Sequence, residues 1–154
     1  DYSGMGTTFV VCTIVDNHVY IANVGDSRLY LIGRDIRQIT RDHSLVEDMV
    51  RMGMLDKEEA RTHYKKNVIT KAIGVAEDRT ATPDIFEIEI SQGDKLLLCS
   101  DGLTNMVEDY DIKRIVTNNT QIEDAVRTLI DQANENGGKD NISAILIEPK
   151  ISEE

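Results

Sequence analysis

Apolar residues in the first part of the chain occur in short runs, and turn residues separate one run from the next. The pair Asp16-Asn17 lies between the first two runs, and Gly33 lies between the third and the fourth. Short runs with this punctuation are typical of β-hairpins. We therefore predict an antiparallel meander of four strands, at residues 7–15, 19–24, 29–32 and 36–39.

The spacing of apolar residues changes to that of a helix over residues 45–52. Ser44 precedes this helix, and Glu47 lies three positions after Ser44, so we predict a capping box. Asp56 is placed to cap a second, short polar helix over residues 57–64.

The second half of the chain mixes strand and helix patterns. Residues 85–90 alternate apolar and acidic side chains, which is typical of a half-exposed strand. Helical spacing of apolar residues over 122–133 predicts an amphipathic helix. A buried strand at 96–99, a short helix at 109–116 and a last strand at 142–147 complete the pattern. These elements predict an α+β fold, with helices packed on an antiparallel sheet or pair of sheets.

The length and composition of the chain fit one soluble domain. Its 154 residues can form a real core, and we predict a domain over 1–150 with a disordered tail at 151–154. The net charge of −11 argues against nucleic acid or an anionic membrane as a main partner. No apolar run is long enough to span a bilayer, and nothing resembles a secretory signal. Cys12 and Cys99 lie in apolar runs, so we expect free thiols and a cytoplasmic protein.

Three aspartates lie beside predicted strands, where an ionised side chain is poorly placed for stability. Asp101 follows one apolar run, Asp140 precedes another, and Asp26 lies between two strand patterns. Ionised carboxylates resist burial unless they are paired or bound to metal, and Mg²⁺ and Mn²⁺ prefer carboxylate oxygens. Each aspartate taken alone also fits a turn residue or a helix N-cap. Only the combination of the three favours a cation site.

Six short strings follow one another along the chain. They are Gly4-Met5-Gly6-Thr7-Thr8, Val24-Gly25-Asp26-Ser27-Arg28-Leu29-Tyr30, Thr40-Arg41-Asp42-His43-Ser44, Thr70-Lys71-Ala72-Ile73-Gly74, Ser100-Asp101-Gly102-Leu103 and Gly138-Lys139-Asp140-Asn141-Ile142. Their order and gaps resemble those of the bacterial type 2C protein serine/threonine phosphatases, over nearly all of the chain. One such string is weak evidence, whereas six in order are strong evidence.

The resemblance implies an αββα sandwich with a metal centre between the sheets at one edge. Members of this family hydrolyse phosphoserine and phosphothreonine with two Mg²⁺ or Mn²⁺ ions and a bridging water. By resemblance, Asp101 and Asp140 are ligands of this pair of ions. Asp26 resembles the ligand of an additional, weaker ion. The implied partners are phosphorylated proteins, namely the substrates of a bacterial Ser/Thr kinase.

Further residues take expected roles from the same resemblance. Gly102, Asn105 and Asn141 are expected beside the metal ligands. Asn105 stands where some members carry an acidic residue, and a neutral amide binds hard cations more weakly, which lowers the expected affinity of the additional site. Residues 44–74 resemble, by region only, a flap that shapes substrate access. The flap residues expected to face substrate are Met49, Arg51, Met52, Lys65 and Lys66.

The chain departs from the family pattern at its front. The family has an N-terminal segment with a phosphate-binding arginine, an Asp-Gly-x-Gly-Gly-His string and two helices, and the sequence contains none of these. We therefore expect weak metal binding and little turnover by this chain alone. We also expect one helical layer to be missing and the strands at 7–15 and 19–24 to expose apolar side chains, which favours self-association or docking of the absent segment. The three histidines, His18, His43 and His63, are interpreted as surface or capping residues.

Two alternatives to a phosphatase remain open at this point. The chain can be a non-catalytic family member that acts as a binding or regulatory module, although the presence of Asp26, Asp101 and Asp140 argues against a pure scaffold. It can also be an unrelated α+β domain with chance matches. A structure in which the three aspartates share one coordination neighbourhood would exclude that second alternative.

Overall fold

A computed structural model describes residues 4–75 and 81–151. The last three residues of the predicted tail, 152–154, lie outside the described residues, whereas Ile151 packs against the core. The strands are β1 Phe9–Val15, β2 His18–Val24, β3 Arg28–Ile32, β4 Ile36–Gln38, β5 Asp84–Glu89, β6 Lys95–Cys99 and β7 Ala144–Ile147. The helices are α1 Leu45–Arg51, α2 Lys57–Thr62, α3 Asp101–Thr104, α4 Asp109–Asn118 and α5 Ile122–Glu135.

The strands form two antiparallel sheets, in the orders β1-β2-β5 and β4-β3-β6-β7. Asp16, with φ of 53°, makes the tight turn of the β1–β2 hairpin, as predicted. The predicted four-stranded meander is wrong between β2 and β3, because these strands belong to different sheets. Gly25 ends β2 with φ of 106°, and a Cβ there would lie 2.4 Å from Cγ2 of Thr8. A glycine in this left-handed conformation lets the chain turn out of the first sheet.

One hydrophobic core lies between the two sheets. Val19 and Ile21 of β2 face Leu29 and Leu31 of β3, and Leu96 and Leu98 of β6 complete the buried set. Alternate residues of β1 also face this core, including Cys12. The two inner faces thus hold the sheets together by burial of aliphatic side chains.

A second core lies between the four-stranded sheet and the last three helices. Tyr30, Leu97 and Cys99 pack here against residues of α3, α4 and α5. The amphipathic stripe predicted for 122–133 is confirmed, since Ala125, Leu129 and Ala133 are buried. Burial raises the pKa of the Cys99 thiol to about 12, which suits an inert core residue. Both cysteines are free, as predicted. Two antiparallel sheets with packed helices confirm the α+β class.

The outer face of the three-stranded sheet carries apolar side chains in contact with solvent. Phe9, Val11, Val15, Tyr20 and Ile85 are between 39% and 68% exposed. Cross-strand register places these residues on one face, because Val11 pairs with Ala22 and Ala22 pairs with Ile85. The exposure expected from the sequence for this sheet is therefore present.

The helix caps differ in detail from the prediction. Ser44 caps α1 by accepting from the Glu47 N–H at 3.3 Å, but the Glu47 side chain lines a cavity instead of closing a capping box. A complete capping box occurs at α2, between Asp56 and Glu59. Helix α3 was not predicted, since four residues are too few to show periodicity. Within residues 4–75 and 81–151, none of the helices has both the length and the apolar character that a membrane span requires.

Candidate functional site

Hydrogen bonds between two distant segments bring two of the predicted aspartates together. The backbone N–H of Ser100 donates to the carbonyl of Ser143 at 3.0 Å, and the N–H of Ser143 donates back to Ser100 Oγ at 3.0 Å. Ser100 Oγ donates in turn to the carbonyl of Asn141 at 3.2 Å. These contacts fix the start of α3, and with it Asp101, beside the loop that carries Asp140.

The negative charge of Asp140 acts on Asp101. Partial burial, followed by repulsion from Asp140, raises the pKa of Asp101, and the Gly102 N–H and Arg28 offset this only in part. Asn105 Nδ2 donates to Asp101 Oδ2 at 3.2 Å, which orients the carboxylate. Two carboxylates that repel each other here would both be stabilised by a cation placed between them.

Asp26 lies in the loop between β2 and β3 and lines the same cavity as Asp101. Burial, followed by repulsion from Asp101 and Asp42, raises the pKa of Asp26 to about 6. Asp101 is thus the shared neighbour of the other two aspartates. In the described part of the chain, however, no three His, Cys, Asp or Glu side chains are arranged so as to hold one metal ion.

The chemistry of these donors fits a hard divalent cation. The side chains that meet at this edge of the sandwich are carboxylates and an amide, and their oxygens suit Mg²⁺ or Mn²⁺ rather than a soft metal. The repulsion that raises the pKa of Asp101 and Asp26 is the electrostatic feature that a bound cation would relieve. The residues present therefore fit part of a ligand set for such ions.

A cavity of about 380 Å³ opens beside this edge. It is also lined by the central part of the predicted flap of 44–74, and we call that part, residues 45–70, the flap segment. We call this cavity the cleft. Asp26, Asp42, Asp101 and Asp109 are among its lining residues. Lys57, Arg61 and Lys66 of the flap segment also line it, and we call these three residues the basic wall. Asp140, Gly102 and Asn105 line a smaller adjoining cavity, which Lys66 also reaches. Acidic and basic side chains thus share the lining of the cleft.

The structure brings only one of the five expected flap residues to the cleft. Lys66 lines it, whereas Met49, Arg51, Met52 and Lys65 are outside its lining. Lys57 and Arg61, which sequence reasoning missed, take that position from α2. Their spacing of four positions puts them on one helix face, and this was the available signal.

A network of hydrogen-bonded polar side chains, most of them part-buried, forms part of the cleft lining, and its members were also missed. Arg28 donates through Nε and Nη2 to Asp42, at 2.9 and 2.7 Å, and through Nη1 to the Tyr30 hydroxyl at 2.8 Å. Tyr30 donates to Asp109 Oδ1 at 3.0 Å. The network ties β3 to the loop before α1 and to α4, so it holds the floor of the cleft rigid.

The histidines have different surroundings. His18 is a surface residue that lies 3.2 Å from Glu87, and His63 is the C-cap of α2, as expected. The surface interpretation is wrong for His43, whose relative exposure is only 9%. A single histidine in a sequence carries no pattern that would reveal its burial.

Fold and site together define an α+β protein with a carboxylate-lined cleft at one edge of a β-sandwich. Its sequence matches the family Protein phosphatase 2C over residues 2–49 and 56–142. The chain therefore belongs to the protein phosphatase 2C family.

Three relatives illustrate the similarity. Protein phosphatase PhpP of Streptococcus pneumoniae is 45% identical over 147 residues, which are 95% of this chain and 59% of that protein. The crystal structure of serine/threonine phosphatase Stp1 from Staphylococcus aureus superposes with a TM-score of 0.92, at 45% identity over 97% of this chain and 58% of that one. The catalytic domain of PstP in complex with two manganese ions superposes with a TM-score of 0.83 at 31% identity, over 94% and 59% of the two chains. The chain thus spans about 60% of the length of the relatives it matches.

Proposed function

We propose that this chain is part of a protein phosphatase that hydrolyses phosphoserine and phosphothreonine with the help of Mn²⁺ or Mg²⁺. The single observation that carries the proposal is the placement of Asp101 beside Asp140, at the edge where Asp26 also lies. Family membership supports the reaction class. The manganese complex of PstP supports the metal.

In this proposal Asp101 and Asp140 supply part of the ligand set for a pair of cations, and Asp26 supplies a ligand for an additional ion. Two such cations lower the pKa of a shared water and neutralise phosphate oxygens. The chain's own residues fix the geometry. Asn105 orients the Asp101 carboxylate. The hydrogen bonds of Ser100 to the neighbouring loop keep Asp101 beside Asp140.

We further propose that this chain alone binds metal weakly and turns over slowly. Two carboxylates offset only part of the dehydration cost of a divalent cation, so further ligands are needed. The absence of a set of three donors among residues 4–75 and 81–151 supports this proposal.

The proposed substrates are phosphorylated proteins, namely the products of a bacterial Ser/Thr kinase acting in the cytoplasm. The basic wall formed by Lys57, Arg61 and Lys66 supports an anionic substrate, because these three cations line the same cleft as Asp26 and Asp101. The basic side chains attract the phosphorylated segment, and the carboxylates of Asp26 and Asp101 attract metal cations.

A second candidate function is a non-catalytic binding or regulatory module. The same absence of a three-donor set in the described residues favours it. The two candidates differ in whether Asp101 and Asp140 bind a divalent cation at all.

Calorimetric titration with Mn²⁺ tests the proposal. The chain should bind Mn²⁺, and both Asp101→Asn and Asp140→Asn should weaken binding by about tenfold or more. Asp131→Asn is the matched control, because Asp131 is an exposed residue of α5. Equal binding by Asp101→Asn and Asp131→Asn would contradict the assignment, and no binding by any variant would favour the non-catalytic module.

A further inference from the structure

His43 connects three segments of the chain that surround the cleft. Its backbone N–H donates to the carbonyl of Gly25 at 3.0 Å, and the N–H of Gly25 donates back to His43 Nδ1 at 2.9 Å. The carbonyl of His43 accepts from the N–H of Thr70 at 2.8 Å. On the far side of the ring, Nε2 lies 3.1 Å from Oδ2 of Asp84.

These contacts fix the protonation pattern of the imidazole ring. A backbone N–H can only donate, so Nδ1 of His43 accepts and the ring proton lies on Nε2. Nε2 lies close to Asp84, whose other carboxylate oxygen is 3.6 Å from Lys71 Nζ. The Nε2 contact is electrostatic, since this atom has no partner with good hydrogen-bond geometry in the described parts of the chain. The ring is thus held from both sides.

His43 is also the point at which the flap segment leaves the sandwich and returns to it. The N–H of Leu45 donates to the carbonyl of Val68 at 2.9 Å. This hydrogen bond is the neighbour of the one from Thr70 to His43. Ser44 and Ile69 form an isolated β-bridge at the same place. The two ends of the flap segment are therefore tied together at His43.

Gly25 has little freedom to move independently of His43. Gly25 has a φ of 106° and packs against Thr8 without space for a Cβ. It also makes two hydrogen bonds with His43. Asp26 is the next residue. A displacement of the flap ends would therefore be transmitted through His43 and Gly25 to the Asp26 carboxylate.

We propose that His43 is a positioning residue that couples the flap segment to the Asp26 loop. Contacts that a ligand makes with the flap segment would then shift Asp26, and a cation held by Asp26 would steady the flap segment by the same free energy. The part of this inference that concerns a cation rests on the proposed function. The coupling between Gly25 and the flap segment does not.

Two substitutions separate the two sides of the ring. In His43→Asn, the amide oxygen takes the place of Nδ1 and can accept from Gly25. In His43→Gln, the longer amide reaches towards Asp84 and leaves the Gly25 N–H without its acceptor. His18→Gln is the control, because His18 is a surface histidine that pairs with Glu87.

Amide hydrogen exchange without metal measures the coupling directly. In His43→Gln, the Gly25 amide and the amides of 57–68 should both exchange about tenfold faster than in the wild type, as the loss of one hydrogen bond allows. His43→Asn should restore both sets to within about threefold. His18→Gln should change neither set.

Several results would overturn the proposal. Faster exchange at Gly25 with unchanged exchange at 57–68 would show that the two are not coupled. Identical behaviour of His43→Asn and His43→Gln would show that His43 only fills space. If His43→Gln does not fold, Asp84→Asn carries the test, and acceleration of only one set of amides would overturn the coupling.

A separate measurement tests the part of the proposal that concerns a cation held by Asp26. Mn²⁺ should slow exchange at 57–68 in the wild type and have little effect in His43→Gln. Slowing of equal size in both proteins would overturn this part. Failure of the wild type to bind Mn²⁺ in calorimetry would count against the proposed function, and the metal-free exchange data would still decide the coupling.

Discussion

Gly102 and Asn141 approach each other so closely that no side chain fits between them. A Cβ on Gly102 would lie 2.2 Å from the carbonyl oxygen of Asn141. Gly102 directly follows Asp101, and Asn141 directly follows Asp140. The absence of a side chain at one position therefore sets the distance between the two proposed metal ligands.

Gly102→Ala should reduce the free energy of Mn²⁺ binding by more than it reduces the free energy of unfolding. The new methyl group would push the loop at 140–142 away, at a cost of roughly 1–3 kcal/mol in the free energy of unfolding. Gly33→Ala is the matched control, because its Cβ would crowd the side chain of Asp94 rather than backbone, and neither residue lines the cleft. Calorimetry and urea denaturation of both variants check this. Unchanged Mn²⁺ affinity in Gly102→Ala would contradict the role of this contact.

Asp26→Asn should stabilise the metal-free protein. The pKa of Asp26 is raised from 3.8 to about 6, so the fold favours the neutral acid, and ionisation of Asp26 costs stability as the pH rises through this window. Above pH 6 the variant should be more stable by about 1 kcal/mol, a figure that allows for solvent screening of this partly exposed group. Below pH 4 the two proteins should be alike.

Urea denaturation of wild type and Asp26→Asn at a series of pH values checks this prediction. Asp131→Asn should show no such pH-dependent difference from the wild type. Saturating Mn²⁺ should stabilise the wild type more than Asp26→Asn. A less stable Asp26→Asn at pH 7 without metal would contradict the electrostatic account.

Asp42→Asn should destabilise the protein by about 3 kcal/mol, because it leaves the Arg28 guanidinium largely buried without its carboxylate. Asp111→Asn provides the comparison, since it breaks the exposed pair with Arg114 and should cost less than about 0.5 kcal/mol. Thermal and urea denaturation measure both. Equal effects would show that the Arg28–Asp42 pair contributes no more to stability than a surface ion pair.

Reversal of charge on the basic wall should weaken the binding of phosphopeptides. Lys57→Glu and Arg61→Glu should each raise the Kd of a fluorescent phosphothreonine peptide by roughly three- to tenfold at low salt, with a smaller effect at high salt. Lys65→Glu makes the same change in charge outside the cleft lining and is the control. If all three variants bind equally, the basic wall does not contact the substrate.

The sequence predicts the elements well and their assembly less well. Strands β1 and β2 follow from alternation and a two-residue turn, both of which are local. The division into two sheets occurs at Gly25, and the positive φ of this residue and its lack of room for a Cβ beside Thr8 become visible only in the structure. The bond from Tyr30 to Asp109 spans 79 positions, and no local pattern announces such a pair.

In the candidate site, too, the features that depend on local pattern could be predicted, and those that depend on distant contacts could not. Asp26, Asp101 and Asp140 could be predicted because an acidic residue beside a buried strand is unusual on physical grounds. Lys57 and Arg61 could not be told from ordinary surface residues until α2 was seen against the cleft. The role of His43 depends on four contacts with residues far along the chain, so it appears only in the structure.

Phosphatase activity with Mn²⁺ and p-nitrophenyl phosphate tests whether Asp101 takes part in a catalytic metal centre. The chain should be measured alone and joined to the part of Streptococcus pneumoniae PhpP that it does not match. The account predicts weak or undetectable turnover alone and clear turnover in the joined protein, lost by at least about 100-fold in Asp101→Asn and retained in Asp131→Asn. Full activity of the joined Asp101→Asn protein would contradict the account.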